Sequence, residues 1–202
     1  SAAFLVAAAV LADGGELCIE NVGVNPTRTG ALVVLERMGA RVERINLRDA
    51  AGEPVADLIA RPATDLRGTE VTAAEIPTLV DEVPMLAVLA SRAPGETVFR
   101  EVGELRVKES NRLELVAANL RAVGVQAEVQ GNDLVVEGGA EPPRGRVDTA
   151  HDHRLAMAFA VLGTLPGADV RLSEKRSVAI SYPAFFHDLA RIRGPRTADR
   201  AP

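Results

Sequence analysis

At 202 residues, with 47% hydrophobic and 25% charged side chains, the chain is long enough for one large domain or two small ones and is globular in composition. A formal net charge of −5 argues against general binding to nucleic acid or an anionic membrane, and an aromatic content of 3% argues against base-stacking surfaces. The single cysteine, Cys18, excludes an internal disulfide. The opening stretch SAAFLVAAAVLA reads as a buried, Ala-rich helix. It lacks the basic flank of a signal peptide, and its apolar run is too short to span a bilayer. LCIEN then reads as a strand with Cys18 buried, and no basic neighbour activates the thiol. TRTGALVVLERMGA (27–40) has the pattern of an amphipathic helix ending at Gly39, and ARVERINL with PVADLIAR (40–61) forms a loose pair of strands.

The same order then recurs. DEVPMLAVLASRAPGETVFREVG (81–103) and DHRLAMAFAVLGTLPGADVRLSE (152–174) align with residues 1–23, each an apolar helix, a Gly turn and a short alternating strand. More amphipathic helices follow at 109–124, ending at Gly124, and at 181–192. VQAEV, the turn QGND and LVVEG (125–138) make a hairpin. With a strand leading each copy, the unit is βαβαββ. The expected repeats cover about 1–61, 62–138 and 139–192, the third lacking its closing strands, with 193–202 as a disordered tail. The first helix of each copy is apolar nearly all round, whereas the second has a polar face. This predicts an α/β (α+β) domain, shaped like an inverse barrel, with helices inside, sheets outside and pseudo-threefold symmetry.

Chemistry-bearing residues gather where helices begin, and unpaired N–H groups there favour anions. Asp81 and Glu82 precede one helix; Lys108, Glu109 and Arg112 open another in RVKESNR; Asp152, His153 and Arg154 open a third. Taken singly, Asp81 and Asp152 read as N-caps and Glu109 as a first-turn carboxylate. Arg112 and Arg154 oppose the helix dipole, and their recurrence at equivalent ends of neighbouring repeats points to function. The pair His151 and His153 has no third ligand cluster, so no metal is expected. His187 reads as a helix-surface residue and Lys175-Arg176 as a solvated loop. No nucleophile elbow or phosphate-binding glycine loop is present. The pattern suits a substrate with carboxylate and phosphate groups, with carboxylates for proton transfer.

EIPTLVDEVPMLAVLA, RVKESNRL, DHRLAMAFAVLG and ISYPAFF, in that order, resemble the C-terminal half of the 3-phosphoshikimate 1-carboxyvinyltransferase (EPSP synthase) family. NPTRTGALVVLERMGA and SAAFLVAAA resemble two further segments, so the likeness runs from Ser1 to about Ile192. The resemblance implies one of two similar domains, each of three βαβαββ units, with strands and a whole N-terminal domain supplied from elsewhere. It implies transfer of the enolpyruvyl group of phosphoenolpyruvate to the 5-hydroxyl of shikimate 3-phosphate, without metal or organic cofactor, in the cytoplasm. It also implies roles: Asp81 contacting shikimate hydroxyls as candidate general base, Glu109 near the phosphoenolpyruvate methylene, and Lys108 on substrate. Arg112 and Arg154 would clamp phosphoenolpyruvate, with His153 beside them. Glu104 stands where some members carry an asparagine at the shikimate phosphate, and Ile180 where some carry a phosphoenolpyruvate-binding lysine. The alternatives are UDP-N-acetylglucosamine 1-carboxyvinyltransferase and a non-catalytic anion-binding domain of this fold. RVKESNRL followed by DHR favours the first reading.

Overall fold

The structure is a computed structural model and describes residues 2–193. The expected tail therefore lies outside the described residues, apart from Arg193, whose backbone closes the last helix. Chain order begins with α1 (Ala2–Val10), β1 (Leu17–Gly23), α2 (Gly30–Arg37), β2 (Arg41–Ala50) and β3 (Glu53–Arg61). The second unit is β4 (Glu70–Val71), α3 (Val83–Ala90), β5 (Gly95–Phe99), α4 (Arg112–Ala122), β6 (Gln126–Gln130) and β7 (Asp133–Gly138). The third is β8 (Arg144–Val147), α5 (His153–Leu162), β9 (Asp169–Leu172), α6 (Val178–Ser181) and α7 (Phe185–Arg193).

The apolar first helices of the three units pack on one another, α3 against both α1 and α5, and α1 against α5. An Ala/Leu/Val helix offers water no polar stripe, so it gains most when enclosed on every side. All eight residues of α3 are buried, as is Phe4–Val10 of α1. Around them lie three sheets, ordered β1-β3-β2, β4-β5-β7-β6 and β8-β9. The lead strand and the strand after the buried helix pair in parallel, β4 with β5 and β8 with β9, and the hairpins pair antiparallel. Among the described residues the sheets remain separate and close no barrel.

Local chemistry sets the boundaries. Gly39 and Gly124 take φ of 97° and 89° just past α2 and α4, the left-handed backbone that lets a helix stop. The helix expected over 27–40 is split, because Pro26–Arg28 forms a one-turn 3-10 helix and Thr29 leaves helical geometry. The helix expected over 181–192 begins only at Phe185, as α7; Pro183 lies in the gap between it and α6, an unanticipated turn that ends at Ser181. Cys18 corrects the sequence reading. It lies on a strand but is exposed, because Leu17 and Ile19 take the inward face of β1 and a period of two turns Cys18 outward.

Candidate active site

The helix beginnings of α3, α4 and α5 meet because α3 packs on both of the others. Each is built differently. α3 is entered through a 3-10 turn, Val80–Glu82, with Pro in its first turn and no side-chain cap; Asp81 is therefore free of the capping role. α5 is capped by Asp152, whose Oδ1 accepts from the Arg154 amide at 2.9 Å. α4 is capped by Asn111, whose Oδ1 accepts from the Glu114 amide. α4 therefore starts later than the sequence suggested, at Arg112. Residues 103–107 form a separate 3-10 turn, and Lys108 is extended. Arg106 falls in the last turn of that 3-10 segment and Lys108 just past it, so of the cations in RVKESNR only Arg112 belongs to α4.

Arg112 organises the site. Its side chain is 0% exposed, as is that of Asp152. Nε donates to Asp152 Oδ2 at 2.7 Å and Nη2 to Asp152 Oδ1 at 3.3 Å. Nη1 donates to Asp81 Oδ1 at 3.2 Å, and Nη2 also donates to Glu109 Oε2. A planar guanidinium thus joins carboxylates from three separate segments. Arg154 approaches Asp81 from the other side: Nη1 donates to the Asp81 carbonyl at 3.0 Å, and Nη2 to Oδ2 at 3.4 Å. Nη1 also reaches Glu82 Oε1 at 3.4 Å. Lys108 Nζ is paired with Glu104 and stands 3.9 Å from Asp81 Oδ1. Asp81 therefore has Arg112, Arg154 and Lys108 around one carboxylate.

The structure brings Asp81, Glu104, Lys108, Glu109, Arg112 and Arg154 into one continuous network, with His153 half-buried beside Asp152. Carboxylates outnumber cations in it: Asp81, Glu82, Glu104, Glu109 and Asp152 against Lys108, Arg112 and Arg154. Burial pushes the Asp152 carboxyl up, but the hydrogen bond and charge of Arg112, with Ser110 and the Arg154 amide, leave it below the usual carboxylate range. Burial raises the Glu82 carboxyl above its usual value, and neighbouring Asp81 adds to this while Arg154 opposes it. Burial holds the His153 imidazole below its usual value, with Arg154 and Arg112 adding to the effect against Asp152. The neutral form of His153 is thereby favoured near neutral pH.

Ile180 is 87% exposed, and the Lys175 ammonium sits 5.5 Å from the centroid of the Phe186 ring. His187 is exposed on α7, as its position in the helix pattern suggested. Among the described residues, no group of three or more His, Cys, Asp or Glu is placed to hold a metal. No helix there is long and apolar enough to cross a membrane.

Sequence reasoning missed the part played by Glu82, Ser110 and Asp152. Glu82 was named only for its place before a helix, Ser110 only within RVKESNR, and Asp152 was read only as a helix cap. The missing signal was burial: a fully enclosed arginine requires an enclosed partner, and nothing in RVKESNR reveals that Arg112 turns inward.

A family model described as EPSP synthase (3-phosphoshikimate 1-carboxyvinyltransferase) matches residues 1–189. The chain belongs to the EPSP synthase family. A 3-phosphoshikimate 1-carboxyvinyltransferase of Thermus thermophilus is 50% identical over 95% of the chain and 44% of its own length. One from a Synechococcus species is 47% identical over 96% of the chain, again 44% of its length. Among solved structures, EPSP synthase from Acinetobacter baumannii superposes with a TM-score of 0.90 at 34% identity, covering 95% of the chain and 44% of that protein. The chain thus spans less than half the length of the EPSP synthases it matches.

Proposed function

We propose that the chain supplies one half of an enolpyruvyl transferase site, acting on phosphoenolpyruvate and shikimate 3-phosphate in the cytoplasm. The observation carrying this reading is the position of Asp81, a carboxylate outside any capping role and ringed by Arg112, Arg154 and Lys108. A carboxylate in that setting can take the proton of a hydroxyl nucleophile while adjacent guanidinium groups meet the charge of the second substrate. Glu109, attached to Arg112 and more exposed than Asp81, suits proton transfer at the methylene carbon. Lys108 and Arg154 are the cations with part of their surface open to solvent, and they are assigned to substrate anions. Arg112 is assigned to the same clamp, its guanidinium shared among the carboxylates. Glu104 is assigned to the rim, where it holds Lys108 until a substrate oxygen replaces it. His153 contributes a neutral imidazole beside Arg154.

Binding two phosphorylated acids requires more positive charge than this half contains, because its carboxylates outnumber its cations. The further cations, and the strands that would complete the third repeat, are assigned to the remaining half of the enzyme. In the second and third units a lead strand lies parallel beside β5 and β9. By the same repeat, the outer edge of β1, beside a groove of about 570 Å³, is the place for an equivalent strand. Such a division of the site favours this reading over an independent anion-binding domain.

The test is turnover of phosphoenolpyruvate and shikimate 3-phosphate, followed by phosphate release. The purified 202-residue chain is expected to show none, and adding the remaining half of the enzyme is expected to restore it. In the restored enzyme, Asp81→Ala should abolish turnover while leaving the circular dichroism spectrum unchanged. Activity in the isolated chain, or a wild-type rate in Asp81→Ala, would refute the assignment.

A further inference from the structure

We propose that Asp152 is the positioning residue of this site, the carboxylate that fixes both arginines by gripping the guanidinium of one and the backbone of the other. The inference rests on the transferase reading for its purpose and on geometry for its content. Asp152 Oδ2 accepts from Arg112 Nε at 2.7 Å and from Ser110 Oγ at 2.8 Å. Its Oδ1 accepts from Arg112 Nη2 at 3.3 Å and from the Arg154 amide at 2.9 Å. Both oxygens are thus doubly used, and the residue is 1% exposed. Helix capping needs only the amide contact, so the Ser110 and Arg112 contacts lie beyond that requirement.

The consequence is geometric. A guanidinium held along its Nε edge cannot rotate, so Nη1 is directed at Asp81 and Nη2 at Glu109. The same carboxylate fixes the first turn of α5, from which the Arg154 side chain reaches the opposite face of Asp81. One buried residue from the third repeat therefore sets the distance between two candidate catalytic carboxylates of the second. The groups facing this arrangement are Lys108 and Glu82 at Asp81, and His153 at Asp152.

The test observes the Arg112 side chain directly by NMR in the 13C,15N-labelled chain, so it is decided independently of transferase activity. In the wild type, the Arg112 Nε–H should exchange slowly and its Nη groups should give separate signals, as blocked rotation requires. Asp152→Asn and Asp152→Ser both retain a capping oxygen for α5 but cannot accept from the whole guanidinium edge. Both should lose the separate Nη signals while the Arg154 amide of the folded helix persists, a change that loss of capping alone would not cause. Persistence of those Nη signals in either folded variant would overturn the proposal. If neither variant folds, acid titration of the wild type decides. Collapse of the signals in step with the Asp152 carboxyl carbon supports the proposal; collapse in step with Glu109 or Asp81 overturns it.

Discussion

Arg112 shows how far a single residue can depart from what its neighbours in sequence suggest. As a cation opposing the dipole at a helix beginning, it pointed to a bound anion. In the fold it is fully enclosed, and the chain itself provides the anions. Asp81, Glu109 and Arg154 were legible as a set because each lies at a helix start in a repeated pattern. The partner that locks Arg112 was not, since Asp152 lies forty residues away in sequence. Replacing Arg112 with leucine removes the counter-charge of an enclosed carboxylate. We expect Arg112→Leu to lose about 3–5 kcal/mol in urea unfolding, the usual consequence of breaking one side of a buried pair. A loss within experimental error would mean that Asp152 finds another partner or water.

At the level of elements, hydrophobic periodicity located the longer helices and the hairpins; the short lead strands β4 and β8 followed only from the repeat, and α6 was not anticipated. Periodicity failed where backbone chemistry cut an element short, as at Pro26, Thr29 and Pro183. It also gave no sign of the irregularity in the first sheet. There β1 and β2 each shift register beside β3, at Ile19/Val22 and Ile45/Arg48. Asn21 and Asn46 take positive φ at these bulges, and both bond to Asp57 on the central strand. Asparagine tolerates this backbone better than most residues, and Asp57 gathers both irregularities together with Arg48. The Asn46 side chain, the Asn21 amide and then Arg48 hold the Asp57 carboxyl down at about 2, from its usual 3.8. The folded state therefore binds this proton less readily than the unfolded state. Its stabilising contribution is complete above 3.8 and disappears as pH falls through about 2. Asp57→Asn should accordingly be less stable than wild type at neutral pH, with the difference narrowing over that acid window. Parallel stability curves throughout would exclude Asp57 as the group responsible.

Across the whole molecule, three copies of one pattern enclose three apolar helices, whose Ala, Val, Leu, Met and Phe side chains form one core. Leu86, fully buried on α3 at the centre, should cost about 2–5 kcal/mol when cut to alanine, measured by chemical denaturation. The repeat was readable in the sequence because each copy keeps its apolar run and turn chemistry. How the copies bring their helix beginnings together could not be read, because α3·α4 and α3·α5 packing joins segments distant along the chain.

The third sheet is the smallest, two parallel strands of four residues each, joined along a single ladder. Short ladders open without unfolding the rest, so backbone amides of β8 and β9 should trade hydrogen for deuterium far sooner than those of α3. Residues 148–152, including Asp152, connect that short ladder to α5, bonded on the way to Asn119 of α4 and to Ser173. Under the proposed function, docking of the remaining half against this edge would do more than add groups. It would slow those openings and so keep Arg112 and Arg154 still for the lifetime of a bound substrate.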